Sequence, residues 1–266
     1  MRRNMLRELL DAGKPTIGTH MITNSPRVVE IIGYTKCVDY IELCGEYTDW
    51  GLTELENFAR ATELFPEISS MMKVEQEPRV FITTRALDAG IQNILIADCH
   101  SADEVKESIR AVLPETPQDN GLHGCAMRRN VGYLFDCGNE AWAQAQRDTV
   151  IAIMIEKASA MEQIDEILSI KHVDMVQFGP CDYAISIGKP GQGGSPEVQK
   201  VQRDMIEKAI SKGVHPRVEI ENFDEAREYM DMGVRHFCIG YDLSSIYEFI
   251  KLNGEKLRQA LNNGIK

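Results

Sequence analysis

Residues 150–182 read VIAIMIEKASAMEQIDEILSIKHVDMVQFGPCD. Two short runs, Val150–Ile155 and Asp174–Phe178, flank a helical stretch. Polar or glycine residues follow each run at once: Glu156-Lys157 after the first, Gly179-Pro180 after the second. Runs this short and this apolar read as strands covered on both faces, the signature of a parallel sheet crossed by helices. Six further runs repeat it: Thr16–Met21, Asp39–Cys44, Ser69–Val74, Asn93–Ala97, Arg217–Ile220 and His236–Ile239. Helix signals stand between them. Ser25-Pro26 and Ser195-Pro196 place a cap before proline, Ser101/Glu104 and Asn222/Glu225 have capping-box spacing, and Gly213 and Gly233 can close helices. Eight strand–helix alternations predict a single (β/α)₈ TIM barrel over residues 1–266. The competing open, doubly wound sheet calls for a glycine-rich loop after the first strand, and Thr19–Asn24 is not one.

One interval breaks the rhythm. Between Ala97 and Val150 there is room for one helix and a long irregular segment, Pro114 to Asn139. Loops of that length are usually functional.

Of the 266 residues, 43% are apolar and 26% charged, as in an ordinary globular protein rather than a disordered one. The net charge of −12, with no Lys/Arg run beyond a pair, argues against a nucleic-acid partner. No apolar stretch is long enough for a membrane span. Met1–Leu10 carries charges throughout and reads as an amphipathic helix, not a signal peptide. Seven cysteines without a CxxC pair read as reduced thiols of a cytoplasmic protein, mostly packing residues.

In a barrel, chemistry gathers at the C-terminal strand ends. Those positions hold His20, Tyr47, Lys73, Glu156 and Asp182. Glu156 and Asp182 end neighbouring strands, so their carboxylates can meet. Two hard oxygen ligands with open positions suit Mg²⁺ or Mn²⁺, although spacing alone fits two solvated carboxylates better. Gly179-Pro180 lets backbone amides approach a small anion.

The same stretches resemble the HpcH/HpaI class II pyruvate aldolases. The pattern is a strand ending in Glu156, then a strand ending Gly179-Pro180-Cys181-Asp182. The resemblance continues in Ile17–His20, Asp39–Tyr47, Ala86–Gly90, Arg129–Gly132, Ser195–Val198 and Phe237–Asp242, in order along nearly the whole chain. It implies a barrel of the phosphoenolpyruvate/pyruvate-domain type. It also implies a divalent ion (Mg²⁺, Mn²⁺ or Co²⁺) on Glu156 and Asp182, and a 2-oxoacid substrate held near Met154, Gly179, Pro180 and Cys181. A homo-oligomer is implied too, commonly a hexamer built as a trimer of dimers, with the tail Ser244–Ile265 exchanged between subunits.

Departures from the pattern fall on the proton-transfer residues. Tyr47 stands where the family has its catalytic histidine, Lys73 where it has arginine, and Cys44 where it has an aspartate. Asp88 matches the aspartate that supports that histidine. A tyrosine with a reference pKa near 10 acts more readily as a donor than as a base. His20, whose reference value lies near 6.5, is the expected base. Lys73 stabilises charge, or serves as a Schiff-base amine if desolvated. Arg129, beside Arg128, could meet a second carboxylate or phosphate. The leading expectation is a metal-dependent carbon–carbon lyase. The alternatives are a 2-oxoacid decarboxylase or tautomerase on the same site, and a non-catalytic 2-oxoacid-binding protein.

Overall fold

Eight strands close in chain order into one parallel barrel: β1 Thr16–Met21, β2 Tyr40–Cys44, β3 Ser69–Val74, β4 Asn93–Ile96, β5 Ile151–Ile155, β6 Met175–Phe178, β7 His215–Ile220 and β8 His236–Tyr241. The computed structural model describes residues 2–263. The ring is completed by β1 against β8, with Ile17 opposite Phe237. All eight expected strands are present, displaced by no more than two residues at an end. β7 begins earlier than expected, because Pro216 sits inside the pairing opposite Val176.

Helices return the chain from the top of each strand to the bottom of the next. Ser101 caps helix Ala102–Val112 by accepting the Glu104 amide, as its spacing predicts. Asn222 caps Phe223–Asp231 at the Asp224 amide instead. The Ser25 side chain makes no cap bond, and Pro26 alone marks that helix start. The long interval before β5 is irregular as expected, with a 3₁₀ turn at Arg129–Val131 and a short helix from Glu140.

The N-terminal helix Met5–Asp11 plugs the bottom of the barrel. Leu6 and Leu10 are buried against Tyr40, Met71, Leu95 and Met175 from the barrel interior. Arg7 locks the plug by pairing with Asp174 at 2.7 Å. Gly18 is required here, since a Cβ would lie 2.2 Å from the Tyr40 ring. Above this apolar floor the interior turns polar. Arg217 is fully buried and donates to the Tyr40 hydroxyl at 2.7 Å, to Gln177 and to the Glu42 carboxylate at 2.5 Å. No described helix is long and apolar enough to cross a membrane.

Candidate active site

The top of the barrel opens into a cavity of about 620 Å³ lined by His20, Tyr47, Lys73, Met154, Gly179–Asp182 and Glu219. Each side chain arrives from a strand end, so the scaffold rather than a flexible loop sets its place.

Glu156 follows β5 and is 1% exposed. Its Oε1 accepts the Asp98 backbone N–H at 2.7 Å. Asp98, just after β4, takes a left-handed conformation with φ of 56°, a region that side-chain-bearing residues enter at a cost. Burial pushes the Glu156 carboxyl above the ordinary range, and the Asp98 amide draws it only part of the way back. Gly179 is indispensable beside it. A Cβ there would come within 2.7 Å of the Glu156 Oε2 and 2.8 Å of the Met154 methyl. Pro180 then occupies the first turn of helix Pro180–Ser186, and Asp182 follows at the rim. Cys181 is exposed on that turn.

Lys73 ends β3, is 6% exposed and pairs with Glu46. Burial pulls its ammonium down, but Glu46 outweighs burial and holds it above the ordinary lysine range. Paired in this way, Lys73 is placed to serve as a cation rather than as a Schiff-base amine. The same ammonium lies 5.2 Å from the centre of the Tyr47 ring. The Tyr47 phenol is pushed up to about 12 by partial burial, with Lys73 opposing, so it remains a neutral donor. Cys44 is buried, and its thiol, pushed up to about 12 by burial and by Glu42, is inert.

His20 stacks on Tyr241 at 5.3 Å. Its Nδ1 faces the Glu219 carboxylate at 3.4 Å and that of Glu42 at 4.0 Å. With Nδ1 turned to the carboxylates, Nε2 is the nitrogen available to the cavity. The place of Glu219 behind His20 has no signal in the sequence pattern. Neither has the Arg217–Glu42–Gln177 layer beneath.

A sequence model described as HpcH/HpaI aldolase/citrate lyase matches residues 57–248. The chain belongs to this family. It is 27% identical over 245 residues, 92% of this chain and 94% of the other, to a hydroxypyruvate/pyruvate aldolase of Sagittula stellata. It is 25% identical to a 4-hydroxy-2-oxo-heptane-1,7-dioate aldolase of Shigella sonnei, covering 90% of this chain and 89% of that one. The fold matches the crystal structure of an HpcH/HpaI aldolase/citrate lyase family protein from Burkholderia cenocepacia, with a TM-score of 0.87 and 21% identity over 96% of this chain and 100% of that chain. The chain is a carbon–carbon lyase.

Two expected site residues, Asp88 from the resemblance and Arg129 from its place in the long loop, lie away from the mouth within this chain. Asp88 is not at the mouth. It lies in the last turn of helix Arg79–Ala89, which runs from the top of β3 down to the bottom of β4. There Asp88 is buried, 3.2 Å from His123 Nε2 and 3.4 Å from Arg128. Arg129 lies at the same lower pole. It pairs with Glu63 and donates to the Ala89 carbonyl at 3.1 Å, so within this chain it touches nothing at the mouth. Helix direction is the physical reason in both cases.

Among the described residues, no three His, Cys, Asp or Glu side chains form a ready-made metal site. The donors at the mouth still favour a cation. Glu46, Asp98, Glu156 and Asp182 outnumber the ammoniums of Lys73 and Lys157 by two, with Lys157 paired to Asp98 at 2.5 Å. Glu75 and Glu77 border the same opening. Hard oxygens with surplus negative charge suit a divalent ion completed by substrate and water.

Proposed function

We propose that the chain is a divalent-metal-dependent aldolase that cleaves a 2-oxo-4-hydroxy acid to pyruvate, or a related 2-oxoacid, and an aldehyde. The buried Glu156 carboxylate, which accepts the Asp98 backbone N–H beside an acid-rich opening lined by Asp98 and Asp182, carries this reading. These two residues would hold Mg²⁺, Mn²⁺ or Co²⁺. The bound ion supplies Lewis-acid stabilisation of charge on the keto oxygen. The chain's own side chains do the rest. Protonated Lys73 lines the cavity and offers its charge to the developing enolate. Neutral Tyr47 donates to a substrate oxygen. His20, oriented by Glu219, moves the proton.

His20→Ala is expected to slow exchange of the pyruvate methyl protons in D₂O by about 10²–10⁴-fold, the usual contribution of base catalysis. Proton NMR with Mg²⁺ present reads this, and metal–oxalate affinity should stay near wild type. Tyr47→Phe should cost less. Loss of exchange in Tyr47→Phe but not in His20→Ala would move the base to the other strand. Wild-type binding of pyruvate without exchange would reject enolisation of pyruvate at this site.

The remote wall of the cavity points to the aldehyde half. It carries Glu219, Glu221 and Glu225 beside Gln199, Gln202 and Tyr229, and Lys73 is the sole Lys or Arg among its described lining residues. Burial, then Glu219 and Glu225, push the Glu221 carboxyl upward, as like charges crowded together must. Such a wall repels a carboxylate and accepts hydroxyls. Condensation of pyruvate with glyceraldehyde should therefore outpace condensation with succinic semialdehyde, compared as kcat/KM. The reverse preference would reject a neutral, polyhydroxylated aldehyde half.

The same reading includes a homo-oligomer. Helix Asp242–Asn262 has no buried residue and exposes Leu243, Ile246, Tyr247, Phe249 and Ile250. An apolar surface of this kind marks an interface, and the expected exchanged tail lies within this helix up to Asn262, its last residues falling outside those described. Light scattering should return a multiple of the 30.0 kDa chain mass. A monomer would reject the assembly and leave the barrel untouched.

A further inference from the structure

Cys125 and Cys137 lie twelve positions apart in the irregular segment before β5, and their sulfurs are 2.8 Å from each other. A disulfide needs about 2.05 Å between sulfurs, so the two atoms are within a small movement of bonding. The surrounding loop holds them in place. Cys125 packs on a small cluster of Val131, Trp142 and Ala143. Between the two thiols, Arg129 ties the loop to Glu63 and to the Ala89 carbonyl. The Cys125 partner is half-buried, and Cys137 is exposed. The other described cysteines differ. Cys44, Cys99 and Cys238 are buried, while Cys37 is exposed in the connection before β2 and Cys181 on helix Pro180–Ser186.

We propose that Cys125 and Cys137 are a dithiol modification site that closes to an intramolecular disulfide on reaction with a low-molecular-weight disulfide such as oxidised glutathione. This does not depend on the aldolase reading. Cys137, the exposed thiol, is the attacking group. Its thiolate attacks one sulfur of glutathione disulfide, forming a mixed disulfide and expelling a glutathione thiolate. Cys125 then gives up its proton to water and attacks the Cys137 sulfur. The mixed disulfide breaks, the protein disulfide forms, and a second glutathione thiolate leaves. Two protein thiols are oxidised and one glutathione disulfide is reduced. Burial and the neighbouring Cys137 sulfur push the Cys125 thiol up to about 11, which fits Cys125 as the resolving rather than the attacking partner.

The test is peptide mapping by mass spectrometry of the full chain. The protein is incubated with graded ratios of oxidised to reduced glutathione, quenched in acid, then alkylated under denaturing conditions. The expected product links Cys125 to Cys137, and glutathione adducts appear on Cys37 and Cys181 as internal controls. Cys125→Ser should trap a glutathione adduct on Cys137. Cys137→Ser should leave Cys125 far less modified than Cys137 is in Cys125→Ser. Free Cys125 and Cys137 at ratios that already modify Cys37 and Cys181 would overturn the proposal. So would a Cys125→Ser protein with no adduct on Cys137.

Discussion

Arg217→Met should destabilise the barrel by about 3–5 kcal/mol, the usual cost of removing one partner of a buried ion pair. The reason lies in what is left behind. Glu42 is 1% exposed and its Oε2 accepts from Arg217 at 2.5 Å, so the variant leaves a buried carboxylate with only His20, 4.0 Å away, in place of its guanidinium. The Tyr40 hydroxyl and the Gln177 carbonyl lose their donor as well. Against a total stability of about 5–15 kcal/mol, a loss of this size is severe. The double variant Arg217→Met/Glu42→Leu removes both charges and should recover most of the loss, because replacing a buried pair by apolar groups is often neutral. Urea unfolding of the two single variants and the double measures this. A single-variant loss below about 1 kcal/mol would sink the argument, as would a double variant at the sum of the singles.

That polar layer is also where reading the sequence stopped short. Strands buried on both faces lose the alternation of polar and apolar residues that would assign a side chain to the barrel interior. Arg217, Glu42 and Gln177 therefore looked like unremarkable members of their runs, although all three point into one layer. The strands themselves were legible because each is a brief apolar run cut off by polar or glycine residues. The mouth was legible for the same reason: Glu156, Lys73 and His20 each sit at a strand end, and Asp182 lies in the first turn of the helix that follows β6. Asp88 was placed by resemblance and Arg129 by its long loop, neither by its height along the barrel. A residue ten places into a returning helix belongs to the lower pole, and that rule alone would have moved Asp88. The meeting of Cys125 with Cys137 had no sequence signal, since a twelve-position separation inside an irregular loop fixes no geometry.

Glu156→Gln and Asp182→Asn are expected to abolish tight binding of metal with oxalate, each weakening it by more than about 100-fold, since even groups behind metal ligands cost 10–100-fold when removed. Aldol cleavage should fall further. A Lewis acid contributes several kcal/mol at the developing charge, and each 1.36 kcal/mol is tenfold in rate, so a loss of about 10³-fold or more follows. Both substitutions keep side-chain shape, and the Glu156→Gln amide oxygen can still accept the Asp98 N–H. Folding should consequently survive. It should even gain, because burial already disfavours the Glu156 charge and glutamine carries none. Metal-free thermal unfolding at or above the wild-type midpoint, together with lost metal–oxalate binding by calorimetry, would separate the site from the scaffold. Wild-type affinity in both variants would place the ion elsewhere. A lowered metal-free midpoint in Glu156→Gln would show instead that the carboxylate is structural, held by the Asp98 amide and the two nearby lysines rather than kept for a cation.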